Sequence, residues 1–216
     1  MGTADRNILS PAVPNTGARR QTGDNCMSSA ELIREAVSAT TYLANVISAD
    51  NGSNETPCEQ FNLHELVTHM SGVFAVSAAA ATKSGPIDRP APQAISGDGP
   101  GSALAEWSSK MADAWATPDA FEGRTHLGDR EMSAFIAGHI TLFEILVHGW
   151  DLAMATGQQL ELSMELAAAS LVTAQRLCTE PARDAGAFGV EVTAPSQSGP
   201  FERALALAGR DPNWSA

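Results

Sequence analysis

The chain has 216 residues, 44% hydrophobic and 18% charged, with 25 acidic against 13 basic side chains and a formal net charge of −12. That length suits one domain with a sizeable core, and the scattered Lys and Arg exclude a general nucleic-acid binder, which needs clustered cations to displace phosphate counterions. No run approaches ~18 uninterrupted apolar residues, no secretory signal opens the chain, and Cys26, Cys58 and Cys178 form neither a disulfide framework nor a CxxC zinc site. The expectation is a cytoplasmic protein without nucleic-acid or membrane partners, either a monomer or a homodimer.

Residues 1–27 read as a disordered leader, broken by Pro11, Pro14, Gly17 and Gly23 and poor in apolar side chains. Residues 28–216 read as a single domain. A hydroxyl N-cap at Ser28 or Ser29 opens a helix in which Leu32, Val37, Leu43 and Val46 recur at helical intervals, until Gly52 and Pro57 break it. A second helix is predicted over 62–83, capped by Asn62 with Glu65 as its capping-box partner. Leu66, His69, Val73 and Val76 share its core stripe, and His64 lies about 140° from His69, on the wet side.

Residues 84–100 are rich in Gly, Pro, Asp and Ser and read as a loop. A helix over 102–116 carries Leu104, Trp107, Met111 and Trp115, and a mixed segment with His126 as a solvated loop residue follows. A long helix over 130–156, stopped by Gly157, is apolar nearly all round from Phe135 and Ile136 to Leu152, the pattern of a helix buried on most sides. Another helix over 163–178 and a short one in the tail complete the chain. The only strand candidate, a weak one, is 189–193. The fold class is all-α: a four-helix bundle with a loop-rich cap and a short C-terminal helix.

Charged side chains inside the most apolar helix are the informative feature, because burying a charge without a partner is costly. With Glu144 at 0°, His148 falls at about +40° and Asp151 at about −20°, on one edge of the apolar face. Glu144 and His148, one turn apart, can converge on one metal ion, and His69 on the core stripe of the second helix is the natural third ligand. Such a set leaves one tetrahedral position open, as in catalytic zinc sites; Ni²⁺, Co²⁺ and Fe²⁺ accept the same donors. His139, about 140° from Glu144, is expected not to reach that ion. Asp151 is read as a carboxylate orienting an imidazole, as a catalytic group in contact with substrate or thiol, or as a structural carboxylate bordering the helix. Trp150 reads as packing, and Cys58 and Cys178 as small buried hydrophobes.

The run ITLFEILVHGWDLAMATGQ, with LVTHM upstream and ALAGRDPNW at the end, resembles the mycothiol-dependent maleylpyruvate isomerase-like family of the DinB-like superfamily. The resemblance implies a helical bundle holding a divalent metal, typically zinc, through His69, Glu144 and His148. It implies mycothiol as thiol co-substrate, a small electrophilic substrate, and thiol transfer or cis–trans isomerisation as the reaction. In the tail, Arg210, Asp211 and Trp214 match the family pattern and are expected to close onto the bundle. Two departures direct the expectation away from maleylpyruvate isomerisation itself: no further domain is expected after the bundle, and Phe61 stands where relatives carry Trp. Two other readings are a metal-binding bundle without turnover, acting as sensor or partner-binding protein, and a metal-free enzyme using the same residues for acid–base chemistry.

Overall fold

Helices begin where the sequence supplies caps. In the computed structural model, residues 27–88 and 99–215 are described; the expected leader, except Met27, and residues 89–98 of the loop-rich stretch lie outside the described residues. α1 (Ser29–Thr41) starts behind Ser28, whose hydroxyl accepts from the Glu31 amide while the Glu31 carboxylate accepts from the Ser28 amide. α2 (Leu63–Ala81) repeats the device with Asn62 and Glu65, at 2.9 Å in both directions. These reciprocal bonds satisfy amides that a helix N-terminus otherwise leaves orphaned. The first helix is shorter than the sequence pattern suggested: after Thr41 the chain tightens into a 3-10 segment, Tyr42–Val46, and Val46 is exposed. α3 (Pro100–Ala114) opens with proline at a position where the missing amide has no helical partner to lose.

The main departure from the expected fold lies after α3. A 3-10 turn (Pro118–Phe121) leads into an antiparallel hairpin of β1 (Arg124–Leu127) and β2 (Arg130–Ser133), with Leu127 opposite Arg130. Gly128, at φ +66°, makes the reversal. Thr125 Oγ1 donates to the Ala80 carbonyl at 2.6 Å, which ties the hairpin to the end of α2. Residues 130–133 are therefore committed to strand pairing, and the long helix α4 (Ala134–Ala155) begins four residues later than expected. His126 sits half-buried on β1 rather than in a solvated loop. Residues 189–193 form no strand. α5 (Met164–Leu177), a short α6 (Glu180–Asp184) that the sequence pattern did not indicate, and α7 (Pro200–Leu207) follow.

The architecture is mostly helical. α2 packs on α3 and α4, α1 packs on the same two helices, and α5 packs on α4 and α7. Ile33, Leu66, Phe74, Met111, Trp115, Ile145 and Leu146 belong to the core among α1–α4. On the other side of α4, Phe143, Val147 and Trp150 meet Ala174 of α5 and Ala204, Leu205 and Ala208 at α7. α4 is thus enclosed from two sides, the physical reason for its nearly uniform apolarity. Gly149 lets α1 approach: a Cβ there would lie 2.5 Å from Thr40 Cγ2. Phe135 and Ile136, expected in the core, are 44% and 47% exposed in the first turn of α4, where Phe135 stacks on His139. Among the described residues, no helix is long and apolar enough to cross a membrane.

Leu146 is fully buried, so Leu146→Ala should destabilise the fold by ~2–5 kcal/mol, whereas Phe135→Ala should cost under ~1 kcal/mol. Urea denaturation of the two variants measures the contrast.

Candidate metal centre

The packing of α2 against α4 brings together the three side chains expected to share an ion. His69 stands in the second turn of α2, whose N-terminus is fixed by the Asn62–Glu65 box. Glu144 and His148 stand one turn apart on α4. Glu144 Oε2 lies 3.5 Å from His69 Nε2 and 3.4 Å from His148 Nε2. The two imidazoles meet edge to face, with centroids 5.0 Å apart and planes at 75°. One donor atom from each of the three residues lies within 4.8 Å of the other two.

Glu144 provides the test of whether this cluster suits a cation. Its side chain is 30% exposed, yet Oε2 itself is buried and takes no hydrogen bond among the described residues. A buried carboxylate oxygen without a close donor calls for something positive beside it, a protonated His148 3.4 Å away in the metal-free protein or a cation held in its place. The spacing fits: metal–ligand bonds of ~2.0–2.2 Å in a tetrahedron put ligand atoms ~3.3–3.6 Å apart, beyond hydrogen-bond length. Both measured separations from Oε2 fall in that window. Two imidazole nitrogens and one carboxylate oxygen also suit zinc and its neighbours in chemical character.

Behind the cluster lies a second tier. Asp151 is wholly buried, and its Oδ2 is 2.9 Å from His148 Nδ1. Arg210, at the exit of α7, donates to both Asp151 oxygens, Nε to Oδ1 at 3.3 Å and Nη2 to Oδ2 at 3.0 Å. With Nδ1 turned to Asp151, the His148 ring presents Nε2 to Glu144. In the sequence Arg210 reads only as packing. The signal that could have found it is the buried acid itself, which needs a cation, in a chain with few of them.

Cys58, in the loop before α2, offers a thiol within 4.8 Å of donor atoms of His148 and Asp151. Burial pushes that thiol up from its ordinary pKa, which keeps it protonated and fits the reading of a small buried hydrophobe. Cys178 is pushed up to about 11, again chiefly by burial. Phe61 stacks on His69 with centroids 4.7 Å apart and forms a wall of the site. His64 is exposed, as expected. His139 faces the Phe135 carbonyl of its own helix, 2.8 Å away, and Trp150 and Trp214 pack in the cluster between α4 and α7.

Burial alone would raise the Glu144 pKa, but the adjoining imidazoles of His148 and His69 outweigh it and hold the carboxyl well below the usual range. Burial would likewise lower the pKa of His148; the Asp151 and Glu144 carboxylates prevail and raise it to about 9. At neutral pH a metal ion must therefore displace a proton from His148.

No family model matches the chain. Two curated proteins from Mycobacterium tuberculosis match it: Uncharacterized protein MT0763 of strain CDC 1551 and Uncharacterized protein Rv0738 of strain H37Rv. Each is 31% identical over 172 residues, which is 78% of this chain and 89% of the relative. Among solved structures, the crystal structure of the mycothiol-dependent maleylpyruvate isomerase aligns with a TM-score of 0.46 and 14% identity, over 68% of each chain. That likeness is too slight to carry fold or chemistry across.

The raised pKa of His148 has a measurable consequence. The stability it contributes to the metal-free protein is complete below the ordinary value of 6.5 and is lost as pH rises through about 9. The thermal midpoint of metal-free protein should thus fall between pH 7 and 10. Over the same range zinc affinity should rise, with about one proton released per ion bound at neutral pH. Calorimetry in buffers of different ionisation enthalpy reads the proton count, and a pH-independent affinity would contradict the raised pKa of His148.

Proposed function

This chain belongs to the same family as the two mycobacterial proteins described above, and we propose that it is a divalent-metal protein that promotes the reaction of a low-molecular-weight thiol with a small electrophile. The observation that carries the metal part is the convergence of His69, Glu144 and His148 on one point, with Glu144 Oε2 buried and lacking a hydrogen-bond donor. The thiol part rests on the resemblance of the Glu144–Asp151 run and of the tail to the mycothiol-dependent family. In the same reading, α1 to α4 constitute a DinB-like four-helix bundle, zinc is the first choice of ion, and mycothiol is the first choice of thiol.

Two neutral imidazoles and one carboxylate leave a bound divalent ion with net charge of about +1, which favours ionisation of a nearby thiol. The protein's own groups supply the rest. His69 and His148 would hold the ion through Nε2, and Glu144 would lower the charge of the centre by one. Asp151 holds the proton on His148 Nδ1 and so selects the ring form that can donate from Nε2. It acts through His148, as a positioning residue. Phe61, packed on the His69 ring, shields one side of the site from water. The partly exposed Glu144 marks the side from which small molecules arrive.

Protein loaded with Zn²⁺ should contain one ion per chain by elemental analysis. His69→Ala, Glu144→Ala and His148→Ala should each weaken binding by more than the ~10- to 100-fold typical of losing a ligand's hydrogen-bond partner. Zinc at 100 times its dissociation constant should stabilise the fold by ~2.7 kcal/mol, read as a rise in thermal midpoint. The loaded protein should consume mycothiol in the presence of an electrophile from a test panel, and the three variants should not. Stoichiometric metal with no thiol consumption would overturn the enzymatic reading and assign a binding module; full activity in metal-free protein would overturn the metal.

A further inference from the structure

The α7 exit turn places a buried arginine against the carboxylate behind His148, and its construction is more specific than packing requires. Gly209 takes φ +85°, and the Arg210 amide donates to the Leu205 carbonyl at 2.9 Å, closing the helix end. The turn is wedged: a Cβ on Gly209 would lie 2.7 Å from Gly189 Cα, so the 189–190 backbone fixes where Arg210 emerges. The Arg210 side chain is only 11% exposed. Its Nη1 donates to the Ala208 carbonyl at 3.3 Å, while Nε and Nη2 straddle Asp151. The guanidinium is thereby held at three nitrogens, and a rigid fork held in that way orients the carboxylate it grips.

We propose that Arg210 is a positioning residue of the metal centre: it locks the Asp151 carboxylate in the orientation that accepts from His148 Nδ1, and so aims His148 Nε2 at the point shared with Glu144 and His69. The proposal rests on the metal reading given above. It makes the C-terminal segment part of the site, although Arg210 lies 59 residues beyond Asp151 in sequence. A ligand-bearing helix and a tail segment are joined by one chain of contacts, Arg210 to Asp151 to His148. Lys at this position supplies charge but no fork, so charge alone should not restore the geometry.

The test is a double-mutant cycle on the full chain, with Arg210→Met and Asp151→Asn made singly and together. Its readouts are Zn²⁺ affinity by chelator competition and the visible absorption of the Co²⁺-loaded protein. Arg210→Met should weaken Zn²⁺ binding roughly 10- to 100-fold and shift the Co²⁺ bands. In the Asp151→Asn background the same change should alter affinity by about twofold or less, because its route to the metal is already cut. An equal loss in both backgrounds, or no loss in either, overturns the proposal. Should Arg210→Met fail to fold, Arg210→Lys is read in the same way: affinity and Co²⁺ bands identical to the parent overturn the proposal, and altered bands support it. The proton on His148 Nδ1, followed by NMR in metal-free protein, separates the two layers. If the parent binds no metal but this resonance moves in Arg210→Lys, the metal reading falls and the positioning role is supported; if the resonance stays fixed, the positioning role falls.

Discussion

The constraint on which the rest of this structure depends is the enclosure of α4 from two sides. One face enters the core shared with α1, α2 and α3, and the opposite face is covered by α5 and α7. A helix so placed has little water to offer a charged side chain. Glu144, His148 and Asp151 nonetheless occupy one edge of it, and each has to be compensated from within the protein. His69 answers Glu144 from α2, and Arg210 answers Asp151 from the far end of the chain. The site is thus a consequence of the packing: the neighbours that bury the helix are those that bring its polar groups their partners.

The compensated edge has a direction. At one end Asp151 is fully enclosed and gripped by Arg210; at the other Glu144 retains partial exposure and His69 is nearly buried. Hydrogen bonds are concentrated at the closed end and exposure at the open end, with His148 between them turning one ring nitrogen to each. This division suits a centre whose ligands must hold their geometry while a small molecule enters from outside. Cys58 lies near the closed end with its thiol held in the protonated form by burial, which makes it part of the wall.

Local signals and distant ones fared differently in the sequence. The hydroxyl cap at Ser28 and the Asn62–Glu65 pair fall where expected because a cap involves only four consecutive residues; the Glu31 half of the first box is added by the structure. The shared edge of Glu144, His148 and Asp151 follows from helical period alone. The hairpin did not show itself, since its strands are four residues each and carry one clear apolar side chain apiece, Leu127 and Met132. Its stability comes from docking on α2 through Thr125, a contact 45 residues distant in sequence. Phe135 and Ile136 went the other way: their apolarity continues the α4 pattern, and only the course of the neighbouring elements leaves them outside.

The amino-acid sequence by itself determined the main helices to within a few residues, the caps at Ser28 and Asn62, the apolarity of the central helix and the face that its acids and histidine share. All of these are fixed by covalent spacing and a rotation of about 100° per residue. How closely His69 would approach that face, 3.5 Å from Glu144, and which cation would reach the buried Asp151, were settled only in three dimensions. Those pairings depend on how loops route α2 and α7 onto α4 and on how closely glycines such as Gly149 and Gly209 let backbones approach. No local period encodes such distances, because they are properties of packed surfaces rather than of neighbours along the chain.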